Sequence, residues 1–97
     1  MTNVRVLREW LAEYWERGYE EVALSQWAVT AQFAPDKADR YLADLTALLA
    51  DADPGKLAEV LAHSGIDLDE TGDKSYEAWL SRILDDFARL LAERRPR

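Results

Sequence analysis

The chain has no cysteine, which excludes a disulfide framework, a thiolate metal site and a cysteine nucleophile. It has a single histidine, His63, and no cysteine to complete a zinc site with it. No run of ~18 apolar residues occurs, so no membrane-spanning helix is expected. The opening Met-Thr-Asn-Val-Arg-Val lacks the apolar core of a signal peptide, and a soluble, cytoplasmic protein is expected. Glycine-rich phosphate loops, His-Glu-x-x-His and the serine elbow are all missing, as is a basic helix for a DNA groove. Neither an enzyme nor a cofactor is expected. No β pattern long enough for a sheet, no internal repeat and no low-complexity stretch is present.

Bases are scarce as well. The 97 residues carry 19 acidic and 12 basic groups, a formal net charge of −7. Three of the bases, Arg94, Arg95 and Arg97, lie in the last four residues, so residues 1–93 stand at −10. This argues against direct nucleic-acid binding, because phosphates would be repelled, and suits a partner with a basic surface. Acidity also serves solubility alone.

What is abundant is apolar periodicity, in a chain that is 48% hydrophobic. From Lys74 to Glu93, Tyr76, Trp79, Leu80, Ile83, Leu84, Phe87, Leu90 and Leu91 follow the spacing of one helix face for more than four turns. Ser75 is the expected cap, with Asp73 as the alternative. So large an apolar face requires cover from the rest of the chain.

A first helix is expected from a cap at Thr2 or Asn3 to about Arg17, with Val4, Leu7, Leu11, Tyr14 and Trp15 inward and Trp10 at the edge. Gly18 stops it. From Val22 to Ala34 no single stripe takes all the apolar residues, so that helix is either buried on several sides or leaves a hydrophobic edge exposed. Pro35 ends it. A third helix runs from Asp36 to about Ala52 on Ala38, Tyr41, Leu42, Leu45, Leu48, Leu49 and Ala52. Asp53-Pro54 starts a short fourth helix with Leu57, Val60 and Leu61 inward, closed by His63-Ser64-Gly65. Residues 66–74 form the one real loop, anchored by Ile66 and Leu68. The expected fold is all-α: a compact bundle of about five helices as a single domain over residues 1–93, with a flexible basic tail at 94–97.

Three candidate sites arise. Asp67, Asp69 and Gly72 match a calcium loop, but Thr71 and Ala78 stand where ligands belong, so a solvated acidic loop is preferred to a metal site. His63 reads as a helix-end residue suited to the dipole. The aromatic and acidic run from Trp10 to Glu21 reads as a binding surface, because Trp and Tyr supply anchoring contacts and glutamates meet a basic partner. Within it, Tyr14 and Trp15 are expected in the core, with Trp10 or Tyr19 accessible. Helix spacing argues against Leu7, Trp10, Tyr14 and Trp15 all entering one narrow seam.

The order of segments resembles a family of small bacterial immunity proteins from contact-dependent growth inhibition systems. Members open with a helix ending in Tyr-Phe-x-x-Asp-Trp, continue through a helix ending in a double leucine and a short helix, and begin the last helix with Ser-Tyr-x-x-Trp-Leu. The matching stretches are Tyr14 to Tyr19, Leu45 to Leu49, Leu57 to Gly65 and Ser75-Tyr76-Glu77-Ala78-Trp79-Leu80. Two positions depart: Trp15 replaces the family's Phe, and Gly18-Tyr19 replaces Asp-Trp. The resemblance implies a non-enzymatic inhibitor of the C-terminal toxin domain of a delivered effector. A nuclease with a basic cleft would suit an acidic inhibitor. The expected contacts are Trp10, Glu16, Tyr19, Glu20 and Glu21 on one side, and Asp67, Asp69, Glu70 and Asp73 as a second patch. A small helical adaptor or weak homodimer, joined through the untidy second helix, is the alternative. A nucleic-acid mimic ranks lower, because Arg5, Arg8, Arg40, Arg82 and Arg89 interrupt the acids.

Overall fold

The computed structural model describes residues 4–16, 18–51 and 53–96. They form six helices and, among the described residues, no strand: α1 (Arg5–Tyr14), α2 (Glu20–Phe33), α3 (Pro35–Asp51), α4 (Pro54–His63), α5 (Leu68–Thr71) and α6 (Tyr76–Arg94). The expected caps at Thr2 and Asn3 and the expected end of the third helix at Ala52 lie outside the described residues, as does Arg97, while the first helix, expected to reach about Arg17, ends at Tyr14.

The last helix is the centre of the bundle. α6 packs against α2, α3, α4 and α5, burying Trp79, Leu80, Ile83, Leu84, Phe87 and Leu91. Ser75 is its cap, its side-chain oxygen accepting from the Ala78 N–H at 3.1 Å and so satisfying a donor the helix leaves unpaired. α2 runs beside α6 in the same direction. Glu20 meets Arg82, and Trp27 Nε1–H donates to the Phe87 carbonyl at 2.8 Å. Beyond the end of α6, Arg95 pairs with Asp39 near the start of α3. Arg94, assigned to the tail by sequence, is the last helical residue.

One residue joins α2 to α3. The Ala34 N–H closes α2 on Thr30, and its carbonyl accepts from Lys37 and Ala38. Pro35 therefore both ends α2 and opens α3, where its missing N–H costs nothing. Asp53 caps α4 by accepting from the Gly55 N–H. At its other end the Gly65 N–H reaches Ala62 and the Ile66 N–H reaches Leu61, with Gly65 at φ +85° and Ile66 tucked into the core. This closure needs a left-handed residue, which glycine adopts without penalty.

α1 corrects one expectation. Leu7, Trp10, Tyr14 and Trp15 are all buried, with Trp10 at 0% exposure. A single seam would not hold them, but α1 packs against α2 and α3 while its indoles reach across to α6. Trp10 meets Phe87 at 5.3 Å and Trp79 at 6.4 Å between ring centroids, and Trp15 meets Trp79 at 5.2 Å. The rings fill the space between the two helices with edge-to-face contacts. The indole N–H groups of Trp10 and Trp15 have no hydrogen-bond partner among the described residues. Leaving such a donor buried costs about 1–3 kcal/mol, which the aromatic burial outweighs.

The segment expected to be loop from Ile66 to Lys74 contains a single helical turn, α5. Asp67 caps it by accepting from the Asp69 N–H at 2.9 Å, and Gly72 ends it at φ +78°.

Candidate functional site

The two connections that carry most of the expected contact residues meet at one end of the bundle. Trp15 caps the end of α1, and Gly18, at φ +75° with its N–H on the Trp15 carbonyl, turns the chain into α2. Glu16, Tyr19, Glu20 and Glu21 therefore emerge together. The α4–α6 connection, residues 64–75, comes to the same place. Glu16 shares a shallow groove of about 240 Å³ with Ser64, Arg8, Leu11, Ala12 and Trp15.

Arg82 ties the two connections together. Its Nε and Nη2 donate to the two carboxylate oxygens of Asp73 at 3.0 and 3.1 Å, and Nη2 also donates to Glu20 at 3.1 Å. Asp86 stands 3.7 Å from Nη1. The Arg82 hydrogen bonds hold the Asp73 carboxyl below its ordinary range, against the opposing effect of burial. The same Asp73 hydrogen bonds, with Glu20 adding to them, raise the Arg82 pKa. Arg82 thus joins one acid of the first expected patch, Glu20, to one of the second, Asp73.

This geometry sorts the expected residues by what remains available. Glu16, Glu21, Asp69 and Glu70 are exposed and make no ion pair among the described residues. Asp67 is exposed but caps α5. Glu20 and Asp73 are committed to Arg82. Tyr19, next to Glu20 in the chain, is 68% exposed. Trp10 is a core residue and presents nothing to a partner. Sequence placed it at a helix edge because the covering indole contacts come from α6, more than sixty residues away.

Two residues were missed. Val29 is 57% and Phe33 75% exposed. Their signal was the absence of a single stripe in α2, which the structure resolves as an exposed hydrophobic edge. Ala23, Trp27 and Ala31 fill the buried side.

Away from the acidic end, Arg5 pairs with Glu9, Lys56 with Glu59 and Arg89 with Asp86, while Asp36, Asp44, Glu77, Asp85 and Glu93 make no ion pair among the described residues. Glu13 accepts from Tyr41 Oη at 2.8 Å and pairs with Lys37. Burial, followed by that hydrogen bond to Glu13, raises the Tyr41 pKa. Burial pushes Tyr14 up to about 12, although its 2.7 Å hydrogen bond with Thr30 lowers it. A second shallow pocket of about 220 Å³ is lined by Val6, Glu9, Lys37, Arg40, Tyr41 and Asp44, charges of both signs. No group of three or more potential metal ligands occurs among the described residues. His63 is exposed at the last position of α4.

The fold and surface define an all-α protein with an acidic face, in which no described helix is long and apolar enough to cross a membrane. No family model matches the chain, and neither a search of curated proteins nor one of solved structures returned a match.

Proposed function

We propose that this protein is an immunity protein, which binds the C-terminal toxin domain of a contact-dependent or polymorphic effector and neutralises it by occlusion. The observation that carries this reading is the acidic end of the bundle. There Glu16, Glu21, Asp69 and Glu70 are exposed and make no ion pair among the described residues, and the exposed Tyr19 shares a connection with Glu16, on a chain of net charge −7. Such a surface steers a basic protein into contact at low ionic strength. The segment order described from sequence supports the same reading. A toxin with a basic nuclease cleft is the partner that best suits it, and the place of action is the cytoplasm of the producing cell.

The exposed Val29 and Phe33 favour a second reading, a helical adaptor or homodimer that pairs through α2. Co-expression separates the two. The C-terminal domain of a large exported protein encoded directly upstream is produced with and without this chain. Rescue of growth with co-purification of a one-to-one complex supports immunity; unrelieved toxicity leaves the adaptor in front.

A further inference from the structure

Val22, Gln26, Val29 and Phe33 are spaced four, three and four apart and so share one face of α2. Val22 is half-buried and the other three are exposed. The face looks away from Ala23, Trp27 and Ala31, which fill the core. Along it the ridge spans roughly 16 Å at 1.5 Å per residue. It begins just past Tyr19 and the acidic end and finishes beside Asp36.

We propose that this ridge is the apolar anchor of the complex and seats in an apolar groove of the toxin domain that is edged by lysine or arginine. The inference rests on the immunity reading and names the chemistry of its partner.

Two observations select that occupant over a second copy of this chain. The first is charge. From Gly18 to Asp36 there is no lysine or arginine, the acids are Glu20, Glu21 and Asp36, and the next base, Lys37, is paired with Glu13. Arg82, the cation on Glu20, is already shared with Asp73. Glu21 and Asp36 make no ion pair among the described residues. Two ridges related by a twofold axis and lying antiparallel would bring the Glu21 end of one toward the Asp36 end of the other, on molecules that each carry −7. A groove edged by Lys or Arg meets attraction at both ends instead. The second is area. Tyr19, Val29 and Phe33 together offer roughly 400 Å² of exposed surface, against about 800 Å² per partner in a stable interface. The ridge alone is too small to hold two copies against their charge. It is large enough for a hot-spot cluster within a wider surface to which the adjacent acids contribute.

The test uses the full chain and the purified toxin domain encoded upstream, inactivated in its own catalytic residues. The double variant Phe33→Ala with Val29→Ser removes the ridge without adding charge, and thermal melting confirms that it folds like the parent. Calorimetric titration is expected to show the parent binding one-to-one and the variant at least about 30-fold weaker, as loss of a hot spot requires. Parent and variant binding equally overturns the anchor and leaves the immunity reading standing. No binding by the parent removes that reading and the anchor with it. Sedimentation of the chain alone is expected to show a monomer. A dimer that the double variant dissolves would assign the ridge to a second copy and overturn the proposal.

Discussion

Replacing Trp27 by phenylalanine is expected to cost about 2–3 kcal/mol of stability. Trp27 is wholly buried, donates to the Phe87 carbonyl at 2.8 Å, and lies 4.6 Å from the Phe87 ring and 5.3 Å from Tyr14. Phenylalanine keeps one ring and loses the other. The missing ring leaves a cavity on the order of 40 Å³, worth about 1 kcal/mol at ~24 cal/mol per Å³, in addition to the lost transfer energy. The lost hydrogen bond adds about 1 kcal/mol. No further penalty arises at the acceptor, because the Phe87 carbonyl remains in the helix ladder of α6. Urea unfolding monitored by circular dichroism should show the midpoint falling with an unchanged slope, and the melting temperature should drop by about 10–20 °C. A loss below about 0.5 kcal/mol would refute the reasoning, since Trp27 would then not be the close-packed tie between α2 and α6.

Asp73→Asn should flatten the acid limb of stability. The depressed carboxyl of Asp73 stabilises the fold above the ordinary pKa of about 3.9, and that stability is lost as pH falls through its lowered value; melting temperatures of parent and variant should converge in acid. At the alkaline side the sign reverses. Tyr14, pushed up to about 12, and Tyr41, raised by burial and Glu13, favour the folded state below pH ~10 and cease to do so as pH rises through their folded values, so Tyr14→Phe with Tyr41→Phe should reduce the loss of stability over that rise. Gly65→Ala forces an L residue into φ +85° and should cost about 1–2 kcal/mol in urea unfolding, although its Cβ would meet nothing within 4 Å.

The helices built on regular periodicity were readable from sequence because their apolar faces are turned one way. Among the described residues, α6, α3 and α4 bury or half-bury their expected side chains, and Ser75 and Asp53 cap where polar residues precede an apolar run. α5 was not readable, because one turn gives no periodicity and its stability comes from the Asp67 cap and the Gly72 stop. The burial of Trp10 depends on partners contributed by α6 and could not follow from the spacing within α1.

The acidic character of the candidate surface was visible as composition, and its acids could be named one by one, although Trp10, named with them, is buried. Their arrangement was not. Arg82 looked like one of several arginines interrupting the acids, yet it joins Glu20 to Asp73 across sixty-two and nine residues of chain. That single side chain withdraws Glu20 and Asp73 from the acids open to a partner. The α2 ridge left only a negative trace, a helix without one clean stripe, because its apolar residues occupy opposite faces for different purposes.

The central claim is tested most directly by titrating this protein into an activity assay of the toxin domain encoded upstream, in purified components. The account predicts that activity falls linearly and is abolished at one equivalent, with association slowing as salt is raised. Full toxin activity in the presence of a several-fold excess would contradict it.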